Sequence, residues 1–447
     1  MQQEIFQPEE YLNPKWYIFK EQTLGKLHDT IPWDQLAECL PEENTGPGAP
    51  RWFDNKGMFA LMFLKAYLNL SDRKLIEQFN TDYSLQIFSG RLLGSSERIK
   101  SKSGIVSEVR SYLAQHCDWQ RLQEVLINHW KRDMTNLHVL LMDATCYESY
   151  IRFPTDVKLL WESCQWIYEK QLFYWCKKVG IKRPRSKYTE QKRKQLAYDR
   201  NRKKSWKKGR KRHGSLLYLL EKGLKQIMDL FESYPAIDLS RQEKEYLRTI
   251  KKVLEQQKFL EKNPASDLKN RIVSLPKPYV RPIVRGKENK RVEFGMKVHM
   301  LQVDGLCFFD TMSFDAFNES TRLKISILKH KSWFEKTHQL AADRIYATNA
   351  NRKYITEKKI FSCFPKKGPK KENKEESKLK SVLSAVRSTV LEGSFGVHKE
   401  SYGLKKINAK NQQNEIIWAF FAVMTCNAIQ ITHKRARSVI TVCKSAA

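Results

Sequence analysis

The chain has 447 residues, with 81 Lys plus Arg against 49 Asp plus Glu and a formal net charge of +32. A length of this order suggests two or three domains, and the surplus of positive charge points to a polyanionic partner, nucleic acid first and an anionic membrane surface as the rival. Nine cysteines without one Cys-x-x-Cys pair argue against a structural zinc site and fit a reducing, intracellular compartment.

The polar, acidic start Met1 to Glu10 does not read as a signal peptide. Residues 1–135 read as all helical. Residues 42–50 are a Gly/Pro-rich breaker. From Asn55 to Leu70 the apolar spacing predicts a helix, and Ser71 and Asp72 suit the start of the next, which carries Leu75, Ile76 and Phe79 on one face. That pair is either a helix-turn-helix or a plain helical hairpin. A further helix is expected from Lys102 to about His129.

The run Val139-Leu140-Leu141-Met142-Asp143 then leads from four apolar residues straight into one carboxylate. A short apolar run reads as a buried strand. A carboxylate at its end has lost water and needs a partner, so Asp143 either caps a turn or holds a cation. Gln339-Leu340-Ala341-Ala342-Asp343 repeats the arrangement, and Glu392 supplies a third acid within Val390-Leu391-Glu392-Gly393.

Between these lies Lys177–Arg212, 36 residues with 18 Lys plus Arg against Glu190 and Asp199 alone, half of the net charge of the chain. Tyr188, Tyr198 and Trp206 interleave with the charges, which favours contact with phosphates and sugars over a merely solvated loop. Arg183, Arg185, Lys203, Lys204, Lys207, Lys208 and Arg210 are the candidate contacts. Beyond the Pro-rich break at 276–282, Val292–Met300 alternates as a half-buried strand, Asp304-Gly305 signals a hairpin, and Leu306–Met312 returns. A helix over 319–335, the Asp343 strand, a helix at 349–357, a strand at 359–364, a Lys/Glu-rich loop at 365–380, helices at 381–399 and 413–431, and a basic tail complete the chain. The apolar stretch 416–431 is short and polar for a bilayer span and reads as a buried helix.

The order of strands and helices is that of an RNase H-like fold, in which neighbouring strands and a helix bring three carboxylates together. The expected class is α/β, an RNase H-like mixed sheet flanked by helices. An all-helical N-terminal domain (1–135) precedes it, and a basic helical insertion (166–285) separates its first part (136–165) from the remainder (286–435), with 436–447 as the tail. Such a site suits phosphodiester displacement with two divalent ions about 3.5–4 Å apart. Mg²⁺ or Mn²⁺ would be bound by Asp143, Asp343 and Glu392, with Asp143 bridging both.

At these residues the sequence resembles the DDE-type transposases of bacterial insertion sequences, in the group with a helical N-terminal domain. The motifs are Asp143-Ala144-Thr145 with Phe153-Pro154-Thr155-Asp156, then Ala342-Asp343-Arg344-x-Tyr346, then Glu392-Gly393-x-Phe395-Gly396-x-x-Lys399 followed by Tyr402. The resemblance covers most of the chain except the basic insertion. It implies that Asp143, Asp343 and Glu392 are catalytic and that Arg344, Arg387, Lys399 and Tyr402 contact DNA near the cut. It further implies terminal inverted repeats and target DNA as partners, a homodimer in the DNA complex, no membrane, and a bacterial cytoplasmic, nucleoid-associated location. Two positions depart from the pattern. The arginine expected four residues before the glutamate is Arg387, five before, and Ile345 stands where glycine usually follows Asp-Arg. Among rival acids, Asp304 belongs to its turn, Asp156 to a helix cap, and Asp310 and Glu400 are alternative ligands. His299 and His398 are expected to face solvent or to be hydrogen-bonded rather than to act as bases. An RNase H-like nuclease without strand transfer and a non-enzymatic nucleic-acid-binding protein are the competing functions.

Overall fold

The computed structural model describes residues 8–42, 51–102, 104–264, 266, 268–284, 292–366 and 373–445. The breaker loop at 43–50 and residues 367–372 of the Lys/Glu-rich loop lie outside these. Contacts divide the chain into two units. One comprises the chain up to Ser149, Met296–Ser313 and everything from Phe317. The other comprises Tyr150–Gly295 with Phe314–Ala316. The insertion's boundary by contacts is thus Tyr150, ahead of residue 166.

The first unit begins with helices only. Asn55–Leu68 is nearly engulfed, with Met58 to Leu64 all buried. Asp54 caps its start, and Ser71 caps Asp72–Phe79 by accepting from the Lys74 N–H. Asp72 does more than suit that helix terminus. Its carboxylate takes the buried Arg110 guanidinium on both oxygens at 3.0 Å. The single helix expected over 102–129 is two, Ile105–His116 and Trp119–Trp130: the backbone turns extended at Cys117, and Asp118 caps the second helix by accepting from the Gln120 N–H. The last helix, Gln412–Ser445, runs far past 431 as one piece. By length and composition it passes for a membrane span. Its apolar residues are instead packed inside the unit, where the ring of Phe421 meets those of Phe59 and Phe63.

The sheet holds β1 (Val139–Glu148), β2 (Arg281–Val284), β3 (Val292–Val303), β4 (Leu306–Ser313), β5 (Gln339–Ala342) and β6 (Phe361–Ser362). It is mixed: β3 and β4 are antiparallel, β1 and β5 parallel, β5 and β6 parallel, and β1 lies between β3 and β5. The β3–β4 turn places Asp304 at φ 51° and Gly305 at φ 87°, the conformation a two-residue hairpin needs. β1 does not stop at Asp143. Ala144 to Tyr147 are all buried, so the strand continues to Glu148. The strand expected at 359–364 shrinks to two residues, and β2, not expected from sequence, begins at the end of the Pro-rich break and pairs with Val292–Gly295.

The second unit is a helical bundle around Leu160, Ile167, Tyr168, Leu220, Ile227 and Ile250. Helix Trp206–Ser233 presses on a π-helical segment, Trp166–Leu172. Gly223 permits this, since a Cβ there would meet the Tyr168 ring at 2.7 Å. Within the basic stretch Arg212 is structural: it is buried and bonds Gln195 and Gln191. Arg183, Arg185, Lys203, Lys204, Lys207, Lys208 and Arg210 are all exposed.

Candidate active site

β1 and β5 run side by side in parallel, with Met142 opposite Ala342. The residue that follows each of these two is an aspartate, so the register itself makes Asp143 and Asp343 neighbours. Asp343 is exposed and caps a short 3₁₀ turn, Arg344–Tyr346, by accepting from the Arg344 N–H at 2.6 Å. Asp143 is more enclosed, its side chain 15% exposed. One of its oxygens accepts from the Ala144 N–H at 2.8 Å, the other from Arg387 Nη1 at 2.8 Å. Burial pushes its carboxyl up to about 6; the Ala144 bond and the Arg387 charge act against that, and the charges of Glu319 and Asp343 add to it.

Glu392 opens helix Glu392–Ser401, and its Oε1 lies 3.1 Å from the same Arg387 Nη1. One guanidinium nitrogen therefore touches two of the three expected ligands. The local fold explains how. Residues five apart on an α-helix point about 140° away from each other. Here Arg387–Leu391 is a π-helical turn, whose i→i+5 bonding sets such residues on one face. The arginine that sequence placed one residue too far from the glutamate is thereby returned to it.

Among the described residues, no group of three or more His, Cys, Asp or Glu side chains is set to hold a metal ion. Arg387 Nη1 lies 2.8 Å from Asp143 and 3.1 Å from Glu392, so those two carboxylates share one internal cation. The rival acids have other employment. Glu400 pairs with Lys405 at 2.9 Å, Asp304 accepts from the Thr135 N–H and Lys434, and Asp156 takes Arg271 at 2.7 Å. Thr155, not Asp156, caps the helix Asp156–Gln165.

Asp310 is fully buried. It accepts from His299 Nδ1 at 3.0 Å, Arg322 Nε at 3.0 Å and Ser326 Oγ at 3.2 Å, with Lys329 Nζ 3.2 Å away. Burial alone would raise its carboxyl, but the His299 bond and the charges of His299, Lys329 and Arg322 hold it below the usual carboxylate range. The other His299 nitrogen, Nε2, lies 2.8 Å from the Tyr346 hydroxyl. Tyr346 belongs to the turn that Asp343 caps, so this buried chain of bonds fixes the turn from below. His299→Leu strips a buried partner from Asp310 and Tyr346 at once. It is expected to cost about 1–3 kcal/mol in urea unfolding, the range for orphaned buried polar groups. His398 is also buried, 2.9 Å from the Tyr147 hydroxyl, and burial pushes its imidazole down to about 3.

The remaining expected DNA contacts are scattered. Arg344 is exposed beside Asp343, and Lys399 is half-buried. Tyr402 is half-buried too, and burial together with Cys426 raises its hydroxyl. Sequence reasoning missed Glu319. It begins the 3₁₀ turn Glu319–Arg322, is held by Lys297 Nζ at 2.7 Å, and its charge acts on Asp143. Nothing local singles it out, since it looks like any acid following the Asn318 cap.

Two family models match the chain. A Transposase DDE domain covers residues 340–426, taking in Asp343, Arg387, Glu392, Lys399 and Tyr402. A Transposase domain (DUF772) covers residues 15–111, within the N-terminal helices. Asp143 lies outside both matches. Neither the curated proteins nor the solved structures contain a match. One transposase domain is matched in the N-terminal helices and another across the second aspartate and the glutamate, and both matches support a DDE-type insertion-sequence transposase.

Proposed function

We propose that the protein binds the terminal inverted repeats of its element, cleaves a phosphodiester bond at each end, and joins the freed 3′-hydroxyl to target DNA. The observation that carries this reading is the strand register that sets Asp143 beside Asp343, with Arg387 tying Asp143 to Glu392. The catalytic unit is read as RNase H-like.

The residues present fit a pair of divalent ions, Mg²⁺ or Mn²⁺. All three donors are carboxylate oxygens, the hard ligands these ions prefer. Asp143 is a poorly solvated anion whose neighbours Glu319 and Asp343 add negative charge, and a guanidinium already sits where a cation relieves it. Asp143, Asp343 and Glu392 would hold the ions, which supply activation of the attacking oxygen and stabilisation of the leaving oxygen. The Asp310–His299–Tyr346 chain keeps the Asp343 turn in place. Arg344, Arg387, Lys399 and Tyr402 are the proposed contacts to DNA near the cut. A homodimer would bring two ends together, in the bacterial cytoplasm at the nucleoid.

The exposed cations Arg183, Arg185, Lys203, Lys204, Lys207, Lys208 and Arg210 would grip flanking or target DNA by its phosphates. Log K should then fall with log salt by about 0.9 per neutralised phosphate. Replacing Lys203, Lys204, Lys207, Lys208 and Arg210 together by Ala is expected to make that slope shallower by about four to five, read by anisotropy titrations. The function itself is tested with a pre-cleaved end, Mg²⁺ and a target plasmid. Joined product is expected, and cutting of intact ends without any joining would identify a nuclease instead.

A further inference from the structure

The Phe153-Pro154-Thr155-Asp156 motif is only partly accounted for by folding. Thr155 Oγ1 accepts from the Lys158 N–H at 3.3 Å and caps a helix. Asp156 takes Arg271 Nη2 at 2.7 and 3.0 Å and Gln257 Nε2 at 2.9 Å. Lys158 Nζ reaches back to the Phe153 carbonyl at 3.4 Å. Phe153 is therefore fixed through its backbone and through the residues that follow it. Its ring nevertheless stands 69% exposed, edge-on to Phe294. Burying a phenylalanine gains roughly 1.5–3 kcal/mol, so a rigid motif that holds one in water calls for a ligand.

Beside that ring the same unit has a cavity of about 430 Å³, a volume within the range of small-ligand sites. Tyr150 (also exposed) and Trp166 add aromatic surface to its wall, and Lys158 and Lys170 add positive charge. Two acids in the wall are already matched. Glu162 lies 3.4 Å from Arg152 Nη1, and Glu169 lies 2.6 Å from both Lys192 Nζ and the Tyr188 hydroxyl. The cavity thus presents aromatic faces and ammonium groups, with its carboxylates neutralised. Stacked bases and tracked phosphates ask for that combination. An intact duplex hides the faces of its bases, so the matching ligand is unpaired DNA. We propose that this cavity takes one unpaired deoxynucleotide of a single-stranded DNA segment, its base on Phe153 and its phosphate toward Lys158 and Lys170. The proposal rests on the reading that the protein handles DNA ends, and extends it to the state of the DNA that is held.

The test compares a blunt duplex carrying the element's end with the same duplex bearing a short single-stranded tail, by fluorescence anisotropy at fixed salt. Wild type is expected to prefer the tailed duplex by about tenfold, the order of one base–aromatic stack. Phe153→Ala should erase the preference and leave blunt-duplex affinity and Tm unchanged, because the ring is exposed. Phe153→Trp should retain the preference, and Lys170→Ala should reduce it. Thymidine monophosphate competing at millimolar concentration would mark the cavity as the site and support the proposal. A preference that survives Phe153→Ala overturns the proposal. Wild-type binding to both duplexes without preference also overturns it, with the DNA-processing reading left standing. Binding to neither overturns both.

Discussion

Asp143→Asn is expected to abolish cleavage of the element's ends while leaving DNA binding within a factor of about two. Asparagine keeps the size of the side chain and an oxygen to accept the Ala144 N–H, but removes the charge that the ions need. A loss of roughly 4 kcal/mol of transition-state stabilisation is on the order of a thousandfold in rate. The fold should not suffer. In the metal-free protein Asp143 is an anion that burial already disfavours, its carboxyl raised to about 6. The sign follows from proton binding. The unfolded chain releases this proton first as pH rises, so stability falls from the ordinary carboxylate range up to about pH 6, above which the native state carries the unfavourable charge. Removing the charge removes that penalty, offset by the partner Arg387 loses, so the metal-free Tm at pH 7 is expected not to fall. The Mg²⁺-dependent gain in Tm should vanish, a gain worth about 2.7 kcal/mol at a hundred times Kd. Cleavage at the wild-type rate, or an undiminished Mg²⁺ shift, would remove Asp143 from the site.

What sequence could reveal here was local chemistry. An apolar run leading into a single acid marked the two strands that pair as β1 and β5 without any knowledge of their pairing, but not that Asp343 would be exposed or that Asp143 would be paired with Arg387. It did not reveal where β1 ends, because Ala144 to Tyr147 are as buried as the residues before them and no breaker intervenes. β2 was hidden by its proline, Pro282, a residue that suits an edge or a break equally in sequence. The exposed cations of 177–212 followed from composition, but not that Arg212, chemically the same, would be buried against Gln191 and Gln195. Glu319 was invisible for a different reason. It acts on Asp143 across a separation of elements that only the folded chain brings near.

The π-helical turn yields the second large effect. Deleting Ser388 should convert Arg387–Leu391 into a regular α-helical turn and place Arg387 four residues before Glu392, still on its face. Inserting one alanine between Thr389 and Val390 should do the opposite, moving Arg387 a further ~100° around the helix from Glu392 and Asp143. Deletions and insertions within helices usually cost alike, since either one rotates everything beyond it. Here they should diverge. The deletion is expected to retain cleavage within about tenfold of wild type. The insertion is expected to lose on the order of a hundredfold or more, comparable to Arg387→Ala, as a misplacement of catalytic groups by an ångström already can. The metal-free Tm gives an independent reading. Asp143 and Glu392 share the Arg387 guanidinium at 2.8 and 3.1 Å, so the insertion and Arg387→Ala should both lower Tm without Mg²⁺, and added Mg²⁺ should recover more of it than in wild type. Equal activity of the deletion and insertion variants would mean that the turn does not set the arginine's position. An unchanged metal-free Tm in Arg387→Ala would mean that its guanidinium is not the internal counter-charge of the two carboxylates.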